Sequence, residues 1–152
     1  MTDEQSNIAT PEACSEALHS RDAAAQMLGI SVVNVSLGKA ELSMPIRADM
    51  LNGLKSCHGG MMFSLADTAF AHACNSANKA TVASGCSIDF IAPAREGDVL
   101  TAYAEERSRG GRTGVYDIEI YNQNKQLVAI FRGQSYQLKG TVLSDQTMES
   151  KV

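Results

Sequence analysis

An aspartate stands in the middle of a stretch otherwise built for burial. From Met61 to Asn75 the chain is almost all apolar or small, has no proline, and carries glycine only just before it, at Gly59-Gly60. Such a run is too long for a buried strand and fits a helix of about four to five turns. Apolar residues fall on nearly every side, so the rest of the chain should wrap it. Asp67 sits there among Phe63, Leu65, Ala66, Ala69 and Phe70. Aspartate is a poor mid-helix residue, and a buried carboxylate is costly unless paired. One reading places it on a polar stripe with Ser64, Thr68 and His72, solvated or bonded to backbone. The other starts from the head of the helix. Gly59-Gly60 leaves backbone N–H groups bare of side chains, and these groups and the helix dipole favour negative charge. An oxyanion hole and a buried carboxylate on one element point to acyl chemistry.

Length and composition bound the class. The 152 residues are enough for one domain with a sizeable core, and 44% hydrophobic with 20% charged residues reads as a soluble globule. A net charge of −4 argues against nucleic acid as a partner. The acidic, polar start MTDEQSNIAT is no signal peptide, and no stretch has the roughly 20 apolar residues of a membrane span. Cys14, Cys57, Cys74 and Cys86 show no zinc spacing, so no metal site is expected. They read as reduced thiols of a cytoplasmic protein, with Cys74 and Cys86 packing as small apolar residues. Cys57-His58 is a poor nucleophile pair, because adjacent residues rarely face each other.

The elements that must position these groups follow in order. Residues 1–10 read as a disordered tail, 11–140 as a single domain, and 141–152 as a polar tail. Thr10 suits an N-cap with Pro11 at the first helical position. Ser20-Arg21-Asp22 breaks the pattern into two short helices, and Gly29 ends it. Ile30–Leu37 and Ala40–Ile46 read as a hairpin turning at Gly38-Lys39, with Pro45 at a sheet edge. Arg47–Ser56 is a loop leading into the central helix. Thr81–Ile91, Val99–Arg107, Val115–Tyr121 and Gln126–Lys139 then read as four strands in meander, the last bulged at Gly133, with Arg109–Arg112 as a loop. The result is an α+β fold, an antiparallel sheet of five to six strands curled around one helix.

His58-Gly59-Gly60 followed by Ser64-Leu65-Ala66-Asp67 resembles the hotdog-fold thioesterases. Met50-Leu51-Asn52-Gly53, Ser56-Cys57, Ala73-Cys74-Asn75-Ser76, Ser87-Ile88-Asp89-Phe90, Thr113–Ile120 and Phe131-Arg132-Gly133 resemble their PaaI branch, the (hydroxy)phenylacetyl-CoA thioesterases. The resemblance implies hydrolysis of acyl-CoA and no cofactor beyond the coenzyme A within the substrate. It implies edge-to-edge dimers that often pair into tetramers. It makes Asp67 the catalytic carboxylate and the Gly59 region, with Gly60, the oxyanion donor. His58 and Asn52 position the thioester or water, and Ser84 is a candidate water holder. Arg109, Arg112 and Thr113 are candidates for contact with the coenzyme A phosphates, alongside Arg107; the alternative is a solvated hairpin end. Two rivals remain: a non-catalytic acyl-CoA binder, and a hotdog dehydratase, whose His-x4-Gly-x2-Pro run is absent.

Helix geometry adds one expectation. Asp67 lies seven residues past Gly60, about 10 Å along one helix. A nucleophile must come within roughly 3.5 Å of the carbonyl carbon. Two antiparallel helices across a two-fold axis would place each Asp67 beside the other subunit's Gly59-Gly60.

Overall fold

The computed structural model describes residues 9–143. Most of the two expected tails therefore lies outside the described residues. Their inner ends are anchored: Thr10 accepts from the Ala13 N–H, and the buried Val142 accepts from the Arg21 guanidinium.

Helix α1 (Pro11–Arg21) opens at the Thr10 cap and stops at Asp22, which in turn caps α2 (Ala23–Met27) by accepting from the Ala25 N–H. Gly29 then turns the chain with φ 70°. Strands β1 (Ser31–Ser36) and β2 (Lys39–Pro45) form a hairpin closed by Leu37-Gly38. A turn of 3-10 helix at Ala48–Met50 leads to α3 (Gly59–Cys74). Four strands follow: β3 (Thr81–Phe90), β4 (Val99–Gly110), β5 (Thr113–Tyr121) and β6 (Leu127–Gln137).

One antiparallel sheet of six strands, in the order β1-β2-β4-β5-β6-β3, wraps α3. Only β4, β5 and β6 form the expected meander. β3 pairs with β6 at the far edge, and its connection to β4 crosses the head of α3. Along that crossing Ala94 accepts from the Cys57 N–H and Asp98 from the Ile46 N–H. An alternating strand shows which face it buries but not which neighbour it takes, so the sequence left this topology open.

The core lies between α3 and the inner face of β2, β4, β5 and β6. Leu42, Met44, Leu100, Ile118, Ile120 and Phe131 meet Leu65, Ala66, Ala69 and Phe70, all essentially sealed from solvent. Each large side chain buried there contributes about 1.5–3 kcal/mol. Gly133 is not a bulge. Its missing side chain makes room for the Phe70 ring, which a Cβ would meet at 2.8 Å; the bulge sits opposite, between Ala83 and Gly85 of β3. Arg109 is likewise a strand residue, because β4 runs to Gly110 and the turn is only Gly111-Arg112.

The wrapping of α3 has a gap. Met61, Phe63, Ser64, Asp67, Thr68 and Ala71 are only half-buried. β3, which shields this side, is itself an exposed edge with Val82, Cys86 and Phe90 uncovered. Cys86 thus departs from the buried packing role read from its type, because no further strand covers it. No helix among the described residues is long and apolar enough to cross a membrane.

Candidate active site

The head of α3 is held from two sides. Leu51 and Cys57 form an isolated antiparallel bridge, the His58 N–H donates to Met50 O at 2.8 Å, and the Cys57 N–H donates to Ala94 O at 2.7 Å. His58 is the N-cap: its Nδ1 accepts from the Gly60 N–H at 2.9 Å, and its carbonyl accepts from the Met61 N–H. In the neutral ring the proton then sits on Nε2. The Gly59 N–H finds no acceptor among the described residues. It is the first open donor of a sixteen-residue helix, where the macrodipole favours negative charge. A Cβ on Gly59 would lie 2.8 Å from Cζ of Phe90, whose ring rests against this residue.

Asp67 lies eight residues on, about 12 Å along the axis. No donor among the described residues reaches its carboxylate. Burial pushes its pKa above the usual carboxylate range, and the negative charge of Asp22 pushes it further. Asp67 in turn adds to the upward shifts of the Cys74 and Cys86 thiols, which burial dominates. Of the polar stripe, Ser64 and Thr68 hydroxyls donate back to Gly60 O and Ser64 O. His72 is buried and hydrogen-bonded through Nδ1 to Ser15 Oγ, neither solvated nor bonded to backbone. Cys57 is no nucleophile, since burial pushes its thiol up to about 11 and leaves almost no thiolate near neutral pH.

The remaining sequence candidates are more dispersed. Asn52 sits near the head of α3, but its Oδ1 accepts from the Leu54 N–H, the Ser56 N–H and the Ser56 hydroxyl, and its Nδ2 meets Ser56 Oγ. Its side chain closes the Asn52–Ser56 loop. Ser84 is exposed in the β3 bulge, its hydroxyl donating to Gln134 O at 3.1 Å. Arg109, Arg112 and Thr113 gather at the opposite end of α3, in a shallow cleft with Cys74, Lys79 and Tyr116. Arg109 pairs with Glu106 at 3.4 Å, Arg112 donates to Gln137 O, and Thr113 donates to Gly110 O. Arg107 is elsewhere, on the outer face with Asp117. Within one chain the structure therefore brings His58, Gly59, Gly60 and Asn52 together and keeps the cationic hairpin apart from them.

Sequence reasoning missed three neighbours. Lys79 adds a cation to the hairpin cleft, Asp22 places a second carboxylate near Asp67, and Phe90 covers Gly59. Asp22 was visible only as a helix breaker, and Phe90 only within the Thr81–Ile91 strand and the Ser87-Ile88-Asp89-Phe90 stretch of the resemblance. The larger concavities are elsewhere: one of about 540 Å³ lies between α1 and β1, and one of about 440 Å³ on the outer sheet face. Gly59 and Asp67, both half-buried, line neither.

Comparison with known proteins bears on the fold and the family. Residues 54–129 match the thioesterase superfamily. The acyl-coenzyme A thioesterase PaaI of Escherichia coli is 53% identical over 129 residues, covering 85% of this chain and 92% of that protein. The structure of the E. coli PaaI protein from the phenylacetic acid degradation operon superposes with a TM-score of 0.85 at 52% identity, over 86% of this chain and 95% of that one. A Streptococcus mutans protein bound to acetyl CoA superposes with a TM-score of 0.70 at 25% identity, over 74% and 90%. The six-stranded sheet around one helix is the hotdog architecture, and the chain belongs to the thioesterase superfamily, in its PaaI branch of acyl-coenzyme A thioesterases.

Proposed function

We propose that the chain hydrolyses phenylacetyl-CoA or its ring-hydroxylated forms to the free acid and coenzyme A, in aromatic-acid catabolism in the cytoplasm. One observation carries this reading: an N–H without an acceptor among the described residues opens the same helix that holds a half-buried carboxylate without a donor among them. The relatives support the substrate class through the PaaI name, the phenylacetic acid operon and the bound acetyl CoA.

In this mechanism the thioester carbonyl oxygen accepts the Gly59 N–H. Attack on the carbonyl carbon moves negative charge onto that oxygen, where the N–H and the helix dipole stabilise it by roughly 3 kcal/mol. Asp67 either attacks the carbon itself, giving a mixed anhydride that water then opens, or takes the proton of the attacking water. The leaving thiolate has a parent pKa near that of cysteine, about 8.5, so no general acid is needed. His58 holds the first turn of α3 through Gly60, and Asn52 holds the loop before it. Ser84 is the candidate for holding water. Arg109, Arg112 and Thr113, with Lys79 in the same cleft, are the candidates for meeting coenzyme A phosphates.

The site is completed by a second subunit. About 12 Å of helix separates Gly59 from Asp67, more than a single carbonyl carbon can bridge. The exposed edge of β3 and the half-buried stripe of α3 form one continuous surface for that partner. Pairing across it sets each Asp67 near the other chain's Gly59, and two such dimers then associate. The test is release of coenzyme A thiol from phenylacetyl-CoA. Turnover by the wild-type chain and none by Asp67→Asn is expected; ligand affinity without turnover in the wild type would favour a binding protein instead.

A further inference from the structure

We infer that Phe90 is a specificity-determining residue, the aromatic wall against which an aryl-acetyl group stacks while its carbonyl is held at Gly59. This rests on the thioesterase reading and extends it to the acyl group. The chain has four phenylalanines. Phe63, Phe70 and Phe131 form one core cluster with ring centroids 5.2 and 6.2 Å apart. Phe90 stands outside it and is 54% exposed. Its ring is nonetheless placed: Cζ, Cε1 and Cε2 lie 2.8, 3.2 and 3.4 Å from the point where a Gly59 Cβ would stand. The backbone beneath it is fixed, with Phe90 paired to Ala129 and both the Ile91 and Ala92 N–H groups donating to Val128 O. A large apolar ring, uncovered in the single chain, is thus held against the residue whose N–H opens α3 with no acceptor among the described residues. A carbonyl accepting that N–H carries its acyl chain past this ring. An aryl group one methylene from the carbonyl reaches the ring within the 4.5–7 Å centroid range that aromatic pairs favour, whereas a straight alkyl chain gains only apolar contact. The ring also sheds water from the forming oxyanion.

The experiment compares kcat/KM for phenylacetyl-CoA and hexanoyl-CoA in the wild type, Phe90→Leu and Phe90→Tyr, with a thermal melt of each. Phe90→Leu should lower the phenylacetyl/hexanoyl ratio by about three- to tenfold, the range of one aromatic pair. Most of that loss should fall in KM. Phe90→Tyr, which keeps the ring face, should hold the ratio within about twofold of wild type. An unchanged ratio in Phe90→Leu, or an equal fall in Phe90→Tyr, would overturn the inference, as would a loss shared evenly by both esters. A wild-type chain inert toward both esters would instead bring down the hydrolytic reading and the inference with it.

Discussion

The Nδ1 of His58 accepts from the Gly60 N–H at 2.9 Å and so leaves Gly59 as the first open donor of α3. On the proposed mechanism the imidazole therefore belongs to the architecture of the oxyanion site. His58→Ala should lose the cap and about 1 kcal/mol of stability. It should also lower kcat, because the first turn frays. Restoring an acceptor with His58→Asn should recover most of the melting temperature. A variant with unchanged melting temperature and rate would show that the cap is idle.

Asp67 makes activity and stability respond oppositely to pH. Its folded pKa is raised by burial and then by Asp22. Stability tied to this group is full below the unfolded pKa, near 3.9, and is lost as pH rises through the higher folded value. On the proposed mechanism activity needs the carboxylate and should appear over that same rise. Asp67→Asn should be inactive and melt higher than wild type near pH 7, with the gain fading below about pH 4. Asp22→Asn should move the acid limb of the rate profile to lower pH. A limb that stays fixed would remove Asp22 from the site.

His72 limits acid stability in the opposite direction. Burial, helped by the charge of His19, pushes its pKa down to about 4. Stability from the neutral ring is present above the unfolded pKa near 6.5 and is lost as pH falls toward 4, about 3 kcal/mol in all. His72→Gln should flatten the urea midpoint between pH 6.5 and 4 relative to wild type. An equally steep loss in the variant would assign it to other groups.

The cationic hairpin has a test of its own. Neutralising Arg109 and Arg112 together should raise KM for coenzyme A esters about tenfold, a total worth two ordinary surface ion contacts. Simple acyl thioesters without the nucleotide should be unaffected. Equal losses on both would show a structural role for these arginines.

The parts legible in the sequence were those written in local chemistry. The central helix follows from its unbroken apolar run, the α1 start from Thr10-Pro11, and the break before α2 from Asp22. Asp67 stands out because its type disagrees with its neighbours. The hidden parts depended on contacts distant in sequence. Nothing in Thr81–Phe90 says that it pairs with β6 rather than β4. Nothing near Gly59 announces Phe90, which comes 31 positions later and arrives only because that pairing carries it there. Asn52 looked free to serve chemistry, and its three accepted hydrogen bonds become visible only once the Asn52–Ser56 loop closes.

The central claim is that two subunits share each site, and mixing two dead variants tests it most directly. Asp67→Asn keeps an intact Gly59, and Gly59→Val keeps an intact Asp67 while its side chain obstructs the helix head against Phe90. After full random exchange, half the dimers are mixed and each carries one intact site of two, so about a quarter of the wild-type rate should return. A mixture as inactive as its parents, with exchange demonstrated, would contradict the account and place both groups of each site in one chain.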